Sequence, residues 1–297
     1  MCFYDPQMQA AVSMSVKLEQ DIRRGLIESE FKLFLQPQVN SNGELEGVED
    51  LTRWQHPQLG TLGPDIFIEI AERSDLIELI DMEGLHNGCL ILSQWAENPR
   101  TANLSLSVNI STRTLYKNDF TQTIKQSINE TKANPLFLKL EITESLLLQD
   151  KNKAAIHMQT LRELGINFSI DDFGIGYSSM SYLQQLPLDQ LKIDHSFVRD
   201  LPESTSSLAI AQSLGLEVIA EGVENLAQHD SLIGCGCKHF QDYLFGKPVI
   251  AECFQILISD SIPGLIIQKR KSLALAIHVN SGCDSIYSTL FWKMNRL

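Results

Sequence analysis

The sequence lacks any run of about 18 uninterrupted apolar residues, the length that a membrane-spanning helix needs. Its first ten residues have neither the basic start nor the apolar stretch of a secretion signal. We therefore expect a cytoplasmic protein with no membrane span. With 43% hydrophobic and 21% charged residues in a chain of 297, the composition is that of a globular protein. This length allows one large domain or two small ones.

A disulfide framework is also missing. The six cysteines are scattered along the chain: Cys2, Cys89, Cys235, Cys237, Cys253 and Cys283. In a reducing cytosol, such cysteines are predicted to be free thiols. One residue separates Cys235 from Cys237, but no second cysteine pair or nearby histidine pair completes a tetrahedral zinc site. Zinc is therefore not expected.

Positive charge is scarce, since 24 basic residues stand against 37 acidic ones and the formal net charge is −13. Such a surface repels polyanions, so long nucleic acids and anionic membranes are not expected partners. A small phosphate ligand stays possible if local cations or metal ions overcome the negative field.

Short apolar runs alternate with helical patterns after a helical lead-in over residues 1–29. The apolar runs are 31–39, 45–51, 104–110, 137–142, 167–170, 191–193, 217–220 and 239–245. The helical patterns between them include 75–95, 115–128, 153–164 and 225–233. This alternation predicts βαβ units and a parallel sheet. About eight strands in roughly 220 residues fit a closed barrel better than an open sheet.

The first two strands are joined only by the turn Ser41-Asn42-Gly43, which predicts an antiparallel pair. The expected fold class is therefore α/β, an irregular (β/α)8 TIM-type barrel with one antiparallel strand. An open doubly wound sheet is the alternative. Its phosphate-binding pattern of three glycines opening a helix is missing, because Gly174 and Gly176 supply only two of them.

Polar side chains follow nearly every apolar run. They are Glu49, Asn109, Glu141, Asp171, Asp172, Lys192, Asp194, Glu221 and Gln241. The carboxyl ends of parallel barrel strands converge on one face, where catalytic groups sit. A single acidic residue after a strand is usually a helix cap or a solvated turn residue. Repetition at nearly every strand, together with the adjacent pair Asp171 and Asp172, favours a functional cluster instead.

A cation is needed between such carboxylates, which otherwise repel each other. The only histidines near these strand ends are His195 and His239, and oxygen ligands without imidazole or thiolate suit Mg²⁺ or Mn²⁺. The number of carboxylates suggests two ions, which would stabilise both oxygens of an in-line displacement at phosphorus.

Two basic residues have a functional and a structural interpretation. Lys192 could bear on the nucleophilic water or the developing charge, or it could form an ion pair with Asp171 or Asp194. Arg53 could hold a phosphate oxygen in a bidentate contact, or it could form a surface salt bridge.

The motifs around these residues, in this order, resemble those of the bacterial EAL-domain family. They are Gln36-Pro37-Gln38, the Glu49-Asp50-Leu51-Thr52-Arg53 run that continues to Pro57, Val108-Asn109-Ile110-Ser111, Leu140-Glu141-Ile142-Thr143-Glu144-Ser145, Asp171-Asp172-Phe173-Gly174 continuing to Ser179, Leu191-Lys192-Ile193-Asp194, Ala220-Glu221-Gly222-Val223-Glu224, and Gln241-Asp242-Tyr243-Leu244-Phe245. The resemblance implies an EAL-type barrel over residues 30–258.

The resemblance implies a cyclic di-GMP phosphodiesterase that uses two Mg²⁺ or Mn²⁺ ions to linearise the ring to pGpG. The metal ligands would be Glu49, Asn109, Glu141, Asp171, Asp172 and Glu221. The catalytic residues would be Lys192, Glu221, Asp172 and Gln241, with Lys192 assisting the hydrolytic water and Gln241 ordering the site. Gln36, Leu51 and Arg53 would contact the dinucleotide. Glu144 would steady the loop after Asp172, on which dimerisation and metal binding depend in this family.

The chain departs from the family pattern at several positions. Asp50 stands where the family has Ala, Ile175 where it commonly has Thr, and Asp242 where Gly is usual. Because side chains alternate along a strand, Asp50 should point away from Glu49 and Leu51 and towards the helix layer. A carboxylate buried there without a partner would be costly.

Two segments also differ. The crossover between residues 201 and 214 is shorter than usual by roughly two helical turns, so we expect a folded barrel with reduced turnover. The tail, residues 259–297, matches nothing in the family, and we expect it to pack loosely and take no part in the site.

Three functions from different classes stay open. The enzyme is favoured because every ligand-type residue is present, and a catalytically weak or inactive cyclic di-GMP receptor acting through protein partners is the alternative. A protein-interaction module that binds no nucleotide is the third. A homodimer is one oligomeric state that the resemblance allows. The lead-in resembles the linker that follows a diguanylate cyclase domain, so the chain is interpreted as part of, or related to, a larger sensor protein.

Overall fold

The computed structural model describes residues 6–144, 150–173, 183–196 and 213–259 of the chain. Most of the shortened crossover, Ile175 and the tail from residue 260 onward lie outside these residues, so their predictions stay predictions.

Helices and short strands alternate along the described chain. The helices are α1 (Pro6–Ile27), α2 (Pro64–Arg73), α3 (Ile77–Ala96), α4 (Thr112–Leu115), α5 (Phe120–Thr131), α6 (Lys151–Arg162), α7 (Leu226–Gly234) and α8 (Ala251–Ser259). The strands are β1 (Phe31–Lys32), β2 (Phe34–Asn40), β3 (Leu45–Asp50), β4 (Arg53–His56), β5 (Gly60–Leu62), β6 (Ser105–Asn109), β7 (Leu138–Thr143), β8 (Asn167–Phe173), β9 (Gln190–Ile193), β10 (Glu217–Ala220), β11 (His239–Gln241) and β12 (Val249–Ile250). A 3-10 turn, Pro135–Phe137, precedes β7.

Eight of these strands close into a barrel. Their order is β2, β3, β6, β7, β8, β9, β10 and β11, and β11 returns to pair with β2. The pairs from β3 to β11 are parallel, whereas β2 is antiparallel to both β3 and β11. The prediction of an irregular (β/α)8 barrel with one antiparallel strand is therefore confirmed. The short strand β12 pairs with the other end of β2.

Strand β7 explains why the site faces into the barrel. In the segment Leu138-Lys139-Leu140-Glu141-Ile142, apolar and charged residues alternate, and alternate side chains point to opposite faces of a strand. Leu138, Leu140 and Ile142 belong to the core between the strands and the helices. Lys139 and Glu141 therefore point into the barrel, where Glu141 reaches the carboxyl-end face.

A small sheet of β1, β4 and β5 lies beside the barrel and was not predicted from the sequence. It carries Phe31 and Trp54, whose rings stack with centroids 5.4 Å apart, and α1 covers it with Leu18 and Ile22. Trp54 Nε1 also donates to Glu30 Oε2 at 2.8 Å. We therefore propose that the boundary at residue 29 separates sequence motifs rather than independently folding units.

None of the helices in the described ranges combines the length and the hydrophobicity that a bilayer crossing requires.

Candidate functional site

Lys192 lies at the centre of the predicted cluster, at the carboxyl end of the barrel. Its side chain is 1% exposed, and Nζ contacts one oxygen from each of four strand-end carboxylates. The distances are 2.6 Å to Glu141, 2.7 Å to Glu221, 3.1 Å to Glu49 and 3.3 Å to Asp171. The structure therefore brings four of the predicted carboxylates together around Lys192.

The electrostatics of this cluster follow from burial and from the excess of negative charge. Burial disfavours the charged form of Lys192, but the surrounding carboxylates outweigh burial and hold its pKa well above the usual range. Burial raises the pKa of Glu141 to about 7 and that of Glu221 well above its usual range. Glu49 is the exception, because Lys192, Asn109 and Gln241 outweigh its burial and lower its pKa. One buried lysine therefore compensates several carboxylates only in part.

The oxygens of Glu49, Glu141 and Asp171 could hold a cation, since one oxygen from each lies within 4.8 Å of the others. Glu141 Oε1 is buried and has no hydrogen-bond partner in the described part of the chain. Carboxylate oxygens alone suit a hard divalent ion such as Mg²⁺. The residues present therefore fit the metal that the fold family implies.

Asn109 is oriented by its amide nitrogen. Nδ2 donates to Glu49 Oε1 at 2.8 Å and to the backbone oxygen of Asp50 at 3.3 Å. Because both contacts use the nitrogen, the carbonyl oxygen Oδ1 is the atom through which Asn109 could bind a cation.

Asp172 lies further out than Asp171. Its backbone has φ +56°, in the left-handed region, and its N–H donates to Asp171 Oδ1 at 3.0 Å. Burial, together with the nearby charges of Asp171 and Asp194, raises the pKa of Asp172. Asp194 does not pair with Lys192; it accepts hydrogen bonds from His195 Nδ1 and from the Ser196 N–H. Of the two ion pairs considered for Lys192, only that with Asp171 is present.

Gln241 connects Glu49 to the wall formed by β2. Its Nε2 donates to Glu49 Oε2 and, at 3.2 Å, to Gln36 Oε1. Gln38 Nε2 donates back to Gln241 Oε1 at 2.9 Å. This network holds the carboxylate of Glu49, and the ordering role expected for Gln241 stays a prediction.

Asp242 adds a carboxylate to the same wall. Its Oδ1 accepts from Gln36 Nε2 at 3.4 Å, and its φ of +123° lies where glycine is favoured. Burial raises its pKa, although hydrogen bonds from Tyr243 and Gln36 oppose that shift.

Two more of the predicted residues are Arg53 and Glu144. Arg53 is half-buried at the start of β4, and Nη1 donates to the carbonyl oxygens of Leu51 and Thr52 at 3.2 and 3.1 Å. Glu144 is buried just after β7. Most of the loop that Glu144 is predicted to steady lies outside the described residues.

Asp50 points away from the site, as the alternation of side chains predicted. It is 3% exposed, Oδ2 accepts from Thr52 Oγ1 at 3.3 Å, and Oδ1 has no hydrogen-bond partner within the described ranges. Gly84 of α3 faces it, since a Cβ at that glycine would lie 3.5 Å from Oδ2. Burial and the charge of Glu49 raise the pKa of Asp50 well above its usual range.

We expect Asp50→Ala to stabilise the fold by about 1–3 kcal/mol at pH 8, because it removes an incompletely bonded buried carboxyl group. The raised pKa means that the folded chain keeps a proton that the unfolded chain has released. The wild type therefore loses stability as pH rises above the unfolded pKa, and the advantage of the variant grows. Urea unfolding at pH 5 and pH 8 measures it, with Asp50→Asn as the control that keeps the size and removes the titration. Equal stability of wild type and Asp50→Ala at pH 8 would contradict this account.

Two residues in the barrel interior were not predicted from the sequence. Lys139 is buried one layer below Glu141, and Nζ donates to Gln190 Oε1 at 2.9 Å. Burial lowers the pKa of Lys139. The alternation in β7 would have indicated that Lys139 shares a face with Glu141, but no motif marks Gln190 as its partner.

The chain is similar to several known proteins. The family model of the EAL domain matches residues 19–248. The chain is 34% identical over 266 residues to the bifunctional diguanylate cyclase/cyclic di-GMP phosphodiesterase MucR of Pseudomonas aeruginosa, covering 87% of this chain and 38% of MucR. It is 35% identical over 257 residues to the cyclic di-GMP phosphodiesterase NbdA of the same organism, covering 83% of this chain and 32% of NbdA.

The solved structure of the PaMucR phosphodiesterase in a c-di-GMP complex is also similar. It matches with a TM-score of 0.77 at 34% identity and covers 80% of this chain and 99% of that one. The chain spans about a third to two fifths of the length of the two curated relatives.

Proposed function

Because this chain belongs to the EAL domain family, we propose that it hydrolyses cyclic di-GMP to linear pGpG with two divalent ions, Mg²⁺ or Mn²⁺. The observation that carries the proposal is the ring of four carboxylates around Lys192 at the carboxyl end of the barrel. A helix cap or a solvated turn does not need four acidic side chains, two of them buried and two partly buried, that converge on one buried lysine.

The proposed metal ligands are Glu49, Asn109, Glu141, Asp171, Asp172 and Glu221. Two bound ions would supply positive charge to the attacking and leaving oxygens of the phosphodiester. Their charge would also compensate the carboxylates that Lys192 alone leaves in excess.

The other residues have proposed roles that follow from their contacts. Lys192 would assist the hydrolytic water, and the neighbouring carboxylates favour its charged form, which can donate a hydrogen bond. Gln241 holds Glu49 through its amide. Gln36, Leu51 and Arg53 would contact the dinucleotide, and Arg53 would offer its guanidinium group to a phosphate. Asp172, Glu221 and Gln241 complete the proposed catalytic set with Lys192, and Glu144 is the proposed support of the neighbouring loop.

The setting of this activity is also a proposal. Since the chain spans a minor part of its relatives, we propose that it acts as an output domain of a larger cytoplasmic sensor protein. Homodimerisation is part of the same proposal.

A receptor that binds cyclic di-GMP with little or no turnover is the second candidate. Asp50 favours it, because Asp50 follows the proposed ligand Glu49 in β3 and buries a carboxyl group on the opposite face of that strand. The two candidates differ in turnover and agree in binding.

The deciding experiment is to incubate the purified chain with cyclic di-GMP and either Mg²⁺ or Mn²⁺, and to separate the products by chromatography. We expect pGpG to form with either ion and not in EDTA. Calorimetric binding in Ca²⁺, a hard ion expected to hold the ligand without turnover, identifies a receptor. Binding in Ca²⁺ without pGpG in Mg²⁺ or Mn²⁺ would reject the enzyme and favour the receptor, and no binding in any ion would reject both.

A further inference from the structure

Asp81 is a buried carboxylate on α3 that contacts the turn following Asn109. Its Oδ2 accepts the backbone N–H of Ser111 at 2.9 Å and the hydroxyl of Thr114 at 2.6 Å. Ser111 is the N-cap of α4 and lies two residues after Asn109 in the sequence. A side chain 30 residues away along the chain therefore fixes the turn that leaves β6.

The close approach of α3 to the barrel puts Asp81 in reach of that turn. Gly88 faces β6, since a Cβ there would lie 3.0 Å from Leu106 Cδ2 and 3.2 Å from Val108 Cγ2. Residues three, four and seven apart share one side of a helix, so Asp81 continues the face formed by Gly84 and Gly88. A Cβ at position 88 would require the side chains of Leu106 and Val108, or the helix itself, to shift.

The backbone around Asn109 is held from two sides. On one side, the N–H of Ile110 donates to the carbonyl oxygen of Glu141 at 2.9 Å. On the other, Asp81 holds the N–H of Ser111. These two contacts fix successive peptide groups directly after Asn109, whose amide nitrogen is already directed to Glu49.

We propose that Asp81 is a positioning residue that aligns Asn109 for binding a divalent cation. The inference rests on the proposed function, because it takes Asn109 as a metal ligand. Some groups orient a metal ligand without contacting the metal themselves. Removing such a group lowers metal affinity or activity by about 10–100-fold. A capping role alone does not explain the arrangement, since the Ser111 side chain already accepts the N–H of Thr114 and caps α4 by itself.

The test is calorimetric titration of the metal-free chain with Mn²⁺, without nucleotide, for the wild type, Asp81→Ala and Asp81→Asn. We expect Asp81→Ala to bind Mn²⁺ at least about tenfold more weakly. Asp81→Asn keeps an acceptor oxygen for Ser111 and is expected to recover most of that loss.

The control is Thr101→Val, which removes a buried hydroxyl that donates to the carbonyl oxygen of Trp95 at 2.9 Å, after the end of α3. It is expected to lower the thermal midpoint in EDTA without changing Mn²⁺ affinity. If Asp81→Ala does not fold, Thr114→Val and Thr114→Ser replace it, and only the valine variant is expected to weaken Mn²⁺ binding.

Wild-type affinity in a folded Asp81→Ala, or in Thr114→Val if the alanine variant does not fold, overturns the role of Asp81 and leaves the proposed function standing. An equal loss in Thr101→Val also overturns it, because the effect would then be one of general stability. A wild-type chain that binds no Mn²⁺ overturns the proposed function itself.

Discussion

Replacing Asp171 by Asn is expected to reduce the turnover of cyclic di-GMP by about a thousandfold or more with either Mg²⁺ or Mn²⁺. The substitution removes a charge and an oxygen from the group formed with Glu49 and Glu141. Charge stabilisation by a bound metal is worth several kcal/mol, and each 1.36 kcal/mol changes a rate about tenfold. Initial rates at saturating metal measure the effect.

The matched control is Asp230→Asn, the same chemical change on an aspartate whose side chain is 77% exposed on α7. It should leave the rate unchanged. Activity of Asp171→Asn within tenfold of the wild type would rule out the two-metal assignment.

Replacing Lys192 by Met is expected to destabilise the metal-free chain by about 3–5 kcal/mol, because it leaves buried carboxylates without their cation. The loss should grow with pH. The pKa values of Glu141 and Glu221 are already raised and would rise further, so the folded chain would hold protons that the unfolded chain has released. Adding Mn²⁺ should restore much of the stability. Urea unfolding in EDTA and in Mn²⁺, at pH 6 and pH 8, measures these differences.

Lys139→Met is the matched control, since Lys139 is also buried but its Nζ donates to an amide oxygen. Lys139→Met should lower the free energy of unfolding by less than Lys192→Met does. Adding Mn²⁺ should not restore the stability that Lys139→Met loses. A Lys192→Met chain as stable as the wild type in EDTA at pH 8 would contradict the compensating role of Lys192. In Mn²⁺ the same variant should still bind the dinucleotide and turn it over more slowly.

The barrel could be predicted because its strands are bounded by strong local signals. The turn at Asn42 and Gly43 sets the antiparallel pair, and the acidic and amide residues after successive strands mark the carboxyl-end face. The side sheet could not be predicted in the same way. Its strands have two to four residues, too short to establish a periodic pattern, and their apolar side chains pack against those of α1 and α2.

The members of the site were predictable, but their partners were not. Whether Lys192 would pair with Asp171 or Asp194 depended on the direction of each side chain, and Asp194 turns to His195 instead. Asp81 gave no signal at all, because its contact with Ser111 depends on how closely α3 packs against β6. Packing distances of this kind are set by the tertiary structure, and no local spacing encodes them.

The packing of α1 on the side sheet has a practical consequence for recombinant work. A fragment that starts at residue 30, the start of the barrel predicted from the sequence, would lack Leu18 and Ile22 and would uncover Phe31 and Trp54. An exposed apolar patch of this kind promotes aggregation. Trp54 is also the next residue after Arg53, so the same deletion would loosen the strand that carries the proposed phosphate contact. If a fragment cut at that position is inactive or insoluble, the absence of α1 is therefore the cause to test first, before any defect in the chemistry of the barrel.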